Sequence, residues 1–165
     1  MRAPALALSA ALWALLLAAL AVPAPAAASF NDLPDIARRQ ALAMVEACTA
    51  ARGTPTDPMT AVERVDLDGD GVPDVIVDEN RFDCRGRPSM HCDPVGCRTT
   101  VFLSNRGRWR LSFDVIGSYC IEHDRNPPRF VTIQRNFLAD GSQGILNARY
   151  RFERGLYFPD GRGRC

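Results

Sequence analysis

The sequence predicts an α+β domain: an N-terminal helix packed on a mainly antiparallel β-sheet and stapled by disulfides. Three observations carry this. One helical period runs from Ile36 to Cys48 and does not return. From residue 60 onward, short apolar runs with strand-like alternation are separated by Gly, Pro, Asn and Asp. Six cysteines, an even number, are spread from Cys48 to Cys165. That is the usage of an oxidising compartment, where thiols pair.

The N-terminus supports the same compartment. Arg2 precedes an apolar run from Ala5 to Leu20, and Ala26-Ala27-Ala28 stands before Ser29. This reads as a secretory signal peptide over residues 1–28, too short in its apolar core and too small at its end for a membrane span. No cysteine near the cut offers a lipid anchor, and Arg38-Arg39 lies after the apolar run, where a twin-arginine signal would not put it. The expectation is a periplasmic or secreted protein of a Gram-negative bacterium, with residues 29–165 as one domain. All 20 basic residues are Arg, and loss of Arg2 leaves 19 against 19 Asp plus Glu. A nucleic-acid binder carries a basic excess, which this chain lacks. The absence of Lys reads as codon usage in a GC-rich genome; its functional counterpart would be a guanidinium surface for phosphate or carboxylate partners.

The helix is expected to begin with Asp32 as N-cap, Asp35 as its capping-box partner and Pro34 in the first turn. Ile36, Ala37, Ala41, Met44, Val45 and Cys48 then share a face, and Gly53 with Pro55 and Pro58 ends the helix. Strands are predicted over 60–65 and 74–78, the second carrying the β-branched run Val75-Ile76-Val77. Residues 80–98 read as a loop holding three cysteines. Strands 99–104 and 109–115 flank an Asn105-Arg106-Gly107 turn, with Trp109, Leu111, Phe113 and Val115 alternating onto one face. More strands are expected near 117–122, 129–134 and 145–151, the last turning at Glu153-Arg154-Gly155 into Leu156-Tyr157-Phe158. The tail would fray unless Cys165 ties it down.

The richest chemistry lies in Asp66-Leu67-Asp68-Gly69-Asp70-Gly71-Val72-Pro73-Asp74. Like charges about 4 Å apart repel by roughly 4 kcal/mol per pair at an effective dielectric near 20. A folded loop holding four such carboxylates calls for a counter-charge, and a hard, oxygen-preferring divalent cation, Ca2+, suits it best. Asp66, Asp68, Asp70 and Asp74 occupy loop positions 1, 3, 5 and 9, and Val72 can offer its carbonyl. Gly69 and Gly71 permit the left-handed turns that wrap a chain round an ion. An EF-hand would need a bidentate Glu where this chain has Val77, and flanking helices where it reads as strands. Asp78 and Glu79 read as solvated strand-end charges outside the ion's shell.

Residues 66–77 resemble the calcium loop of integrin-type FG-GAP or VCBS repeats, D-x-D-G-D-G-x-x-D followed by an apolar strand. The resemblance implies a loop between two adjacent antiparallel strands, with calcium on Asp66, Asp68, Asp70, the Val72 carbonyl and Asp74. It covers some 15 residues, and a propeller needs several blades, so the likeness is to the loop and not to the whole fold. The wider layout, with Cys84, Cys92 and Cys97 after the loop strand, is similar to small exported proteobacterial proteins.

Other constellations carry less. Cys84, Cys92, Cys97 and His91 would make a Cys3His zinc site, but they lack the short C-x2-C spacing and sit in a disulfide-forming compartment. His123 with Ser118 has no nucleophile-elbow frame around it. Arg106-Gly107-Arg108-Trp109-Arg110 mixes cation and aromatic at a hairpin, where solvated charge is usual. The sequence therefore points to an exported, non-enzymatic protein with one structural calcium site and no membrane anchor after cleavage. The alternatives are a periplasmic partner-binding or inhibitor module, and a metal-assisted hydrolase.

Overall fold

The structure, a computed structural model, describes residues 29–88, 90–137, 142–154 and 156–165. The predicted signal peptide lies outside the described residues. Helix α1 spans Asp35–Ala50 and buries Ala37, Ala41, Met44 and Cys48, the stripe its periodicity predicts. Its start differs from expectation. Asp32 belongs to a separate 3-10 turn, Phe30–Asp32, where a capping box joins it to Ser29. Pro34 stands at the helix N-cap position without a side-chain cap bond. Proline disfavours helical geometry in the residue before it, so the helix begins only after Pro34.

The helix ends in a Schellman arrangement: Gly53 N–H bonds the Cys48 carbonyl, and Arg52 N–H bonds that of Thr49. Arg52, not Gly53, takes the left-handed φ of 59°. Glycine is required at 53 for room. A Cβ there would lie 2.3 Å from the Cys84 sulfur and 2.9 Å from that of Cys48, which form the Cys48–Cys84 disulfide.

Eleven strands follow among the described residues: β1 Thr54–Pro55, β2 Val62–Val65, β3 Asp74–Asp78, β4 Cys84–Arg85, β5 Cys92–Asp93, β6 Gly96–Asn105, β7 Arg108–Ile116, β8 Ser118–Glu122, β9 Arg129–Phe137, β10 Gln143–Glu153 and β11 Leu156–Arg162. All pairings are antiparallel. β1 and β4 form a small ladder. The first large sheet runs β2-β3-β6-β7, with β5 pairing the start of β6; the second runs β11-β10-β9-β8.

The result is three layers: helix, first sheet, second sheet. Val75, Val77 and Phe102 face α1 in one core. Ile76, Val101, Leu103 and Phe113 face Phe130 and Phe152 of the second sheet in another. β3 is buried at every position. A strand covered on both faces reads as a continuous apolar run, which explains Val75-Ile76-Val77.

The expected alternation along β7 fails. Val101 pairs with Phe113, but Phe102 pairs with Leu111. Ser112 is the extra residue of a bulge, and the side-chain period slips there. Phe113 and Val115 join the inter-sheet core, Trp109 packs on the helix side, and Leu111 is 51% exposed.

Gly117 carries the chain from the first sheet to the second. A Cβ on it would lie 2.6 Å from the Ile133 carbonyl oxygen. The tail is tied down as its cysteine suggests. Gly163 sits against Val131, and Cys165 is bonded to Cys120 of β8. Arg129 and Arg149 hold Asp160 by ion pairs, which lower its carboxyl below the usual range. The third disulfide, Cys92–Cys97, joins register partners of β5 and β6.

Candidate metal centre

β2 and β3 are adjacent antiparallel strands, Val65 pairing with Asp74, and residues 66–73 close the hairpin between them. The flanks are strands, as an EF-hand forbids. Leu67 is fully buried in the inter-sheet core and anchors the loop from inside. Gly69 and Gly71 adopt φ of 78° and 85°, left-handed values that glycine takes without strain.

The carboxylates organise their own loop. Asp66 accepts the N–H groups of Gly69 (2.7 Å) and Gly71 (2.9 Å) on its two oxygens. Asp68 accepts that of Asp70 at 3.2 Å, and Asp70 that of Val72 at 2.8 Å. Asp74 has 0% exposure. Its oxygens accept the Leu67 N–H at 2.9 Å and the Ser104 N–H at 2.8 Å. It therefore ties the loop to itself and to β6.

The Asp74 carboxyl is pushed up to about 7, chiefly by burial; the Ser104 and Leu67 amides oppose the rise, and the neighbouring Asp68 and Asp70 add to it. It is the one residue of the cluster that combines full burial with such a shift. A cation beside it would reverse that shift.

Asp66, Asp68 and Asp74 each place an oxygen within 4.8 Å of the others. Two oxygens on opposite sides of one calcium, each about 2.3–2.6 Å away, are at most about 5 Å apart, so the spacing fits one ion. The donor set is all oxygen, as a hard cation prefers. Each carboxylate oxygen has two lone-pair directions, so an amide bond leaves room for a ligand bond. Asp70 is not in this group: it is exposed, and its second oxygen receives the Ser104 hydroxyl at 3.2 Å. Val72 is 47% exposed.

Ser104 is a site residue that loop spacing does not announce. It lies on β6, thirty positions from Asp74, and becomes a neighbour only through the β3–β6 pairing. Asp78 is buried, not solvated: it caps the 3-10 turn Glu79–Arg81 through the Asn80 N–H, and burial raises its carboxyl. The zinc arrangement is overturned, because Cys84, Cys92 and Cys97 are all in disulfides. His91 instead makes an edge contact with Phe82. His123 is exposed just past β8. Among the described residues no hydrogen bond joins it to Ser118.

No family model, no curated protein and no solved structure matches the chain.

Proposed function

We propose that this is an exported, non-enzymatic protein in which one calcium ion organises the β2–β3 hairpin. Asp66, Asp68 and Asp74 would hold the ion through carboxylate oxygens, with Asp70 and the Val72 carbonyl completing the set on the solvent side. Calcium takes 6–8 oxygens and accepts water among them. The observation that carries this reading is the convergence of three carboxylates on one spot with a fully buried Asp74 among them. Such a group is costly to ionise in a low-dielectric site without a counter-charge. The ion's role is structural: Asp74 lies beneath the loop and inside the sheet, where a substrate has no access. Three disulfides support an oxidising compartment, in keeping with export through residues 1–28.

The test combines elemental analysis of purified protein with melting in calcium and in chelator. At ten times its dissociation constant calcium adds about 1.4 kcal/mol, a rise of several degrees for a domain of this size. No bound metal, together with the same melting temperature in both buffers, would end the reading.

A further inference from the structure

A cleft of about 660 Å³ opens between the β5–β6 turn and the second sheet. Its volume falls in the range of small-ligand sites. The second sheet supplies Ser118, Ile133, Arg135 and Ile145. Tyr119, Phe130 and Tyr150 pack on the inter-sheet core, so strand alternation puts these four on the opposite face. Arg135 and Ile145 are register partners. Ile145, 74% exposed, is the most exposed large apolar side chain among the described residues. The turn supplies Asp93, Pro94 and Val95. It is held from within: the Cys92–Cys97 disulfide closes it, and Asp93 Oδ1 accepts the N–H groups of Val95 (3.0 Å) and Gly96 (3.1 Å). A Cβ on Gly96 would lie 3.1 Å from the Gly117 Cα, and the Gly117 N–H donates to the Cys97 carbonyl at 2.8 Å. The backbone of the turn therefore rests on the backbone that enters β8, and the cleft is formed before a ligand arrives, which lowers the cost of binding.

Asp93 and Arg135 are the two charged residues of the lining. Among the described residues neither is in an ion pair, and Asp93 Oδ2 accepts no hydrogen bond. Charge decides what fits. The lining sums to zero, so a lone anion or a lone cation meets one repulsion for each attraction. A molecule that carries one charge of each sign with an apolar body meets two partners. We propose that this cleft binds a short free peptide with apolar side chains. Its terminal carboxylate lies on the Arg135 guanidinium, whose planar fork of N–H donors matches carboxylate oxygens. Its terminal ammonium lies on Asp93 Oδ2, and its side chains cover Ile133, Ile145 and Val95, contacts that add affinity by removing apolar surface from water. The C-terminus of a folded protein lacks the ammonium, as a fatty acid does, and each leaves Asp93 unmatched. No lining residue belongs to the acidic loop, so the inference is independent of the calcium reading.

The experiment uses the mature, disulfide-intact chain. Leucyl-leucine and leucyl-leucyl-leucine are titrated by calorimetry, each free, N-acetylated and C-amidated. The expected result is a dissociation constant below about 1 mM for at least one free peptide, weakened about tenfold or more by either cap. Asp93→Asn keeps the Oδ1 acceptor that the turn needs and removes the charge; it should bring the free and N-acetylated peptides to equal affinity. Arg135→Gln should do the same for the free and C-amidated peptides. Both side chains are exposed, so melting temperature should hold. The capped peptides probe the same contacts on the parent chain, whatever a substitution does to folding. Three results would overturn the inference: neither free peptide binding at about 1 mM, capped peptides binding as tightly as free ones, or a variant that melts as the parent does and still distinguishes the capped peptide from the free one.

Discussion

Replacing Asp74 with alanine removes the acceptor of two buried backbone N–H groups, those of Leu67 and Ser104. Leu67 and Asp74 have 0% exposure, so water does not stand in for the lost carboxyl. A buried donor left unpaired costs about 1–3 kcal/mol, so Asp74→Ala should lose about 2–6 kcal/mol. The assay is urea unfolding in chelator at pH 5. The folded carboxyl, raised to about 7, keeps its proton there, and the substitution relieves no buried charge. The pH dependence follows from the same shift. The unfolded group releases its proton near 3.8 and the folded group near 7, so the folded state binds more protons between those values. The stability this group contributes is therefore fully present below the unfolded value and is lost as pH rises toward 7, by up to about 1.4 kcal/mol per pH unit. From pH 5 to pH 7 that is about 2 kcal/mol, because the folded group is already half ionised at pH 7. Burial raises Asp78 and Glu79 in the same direction, but parent and variant share that slope. The gap between them should narrow by about 3 kcal/mol at pH 8. A variant within 1 kcal/mol of the parent at pH 5, as an order-of-magnitude threshold, would refute the bracing role; a gap that stays constant to pH 8 would refute the buried-charge argument.

Two further outcomes test the frame that holds the site. Gly53→Ala places a methyl 2.3 Å from the Cys84 sulfur; it should destabilise by about 1–3 kcal/mol or leave titratable thiols, and a full disulfide with an unchanged melt would contradict the close-approach account. Tyr119→Phe deletes the 2.6 Å bond from its hydroxyl to Glu63, an oxygen that Arg81 also contacts at 2.8 Å. The expected loss is about 1–2 kcal/mol in chemical denaturation, and no change would show that the cluster adds nothing to joining the two sheets.

Much of the hairpin that carries the site was legible in advance. Asp66 to Asp74 announces a turn that needs left-handed glycines, and the β-branched run Val75-Ile76-Val77 announces a strand. Both signals are local, set by residue type and by spacing over a few neighbouring positions. The helix stripe from Ala37 to Cys48 was legible for the same reason. Its start was misread because Ser29, not Asp35, partners Asp32, and Pro34 separates the two short helical segments.

What stayed hidden depends on residues distant in sequence. Nothing near Ser104 marks it as the brace of Asp74, since the contact exists only once β6 pairs with β3. The bulge at Ser112 leaves no signature in an otherwise regular alternation, because it exists only in the register of β7 against β6. The disulfide partners follow from which strands come to lie together, Cys120 with a tail 45 positions away. Local chemistry thus wrote the acidic loop, the strands beside it and the oxidising setting into the chain. Long-range packing chose the rest: that Asp74 points inward to two amides while Asp70 turns toward Ser104, and that Asp93 and Arg135 line one cleft.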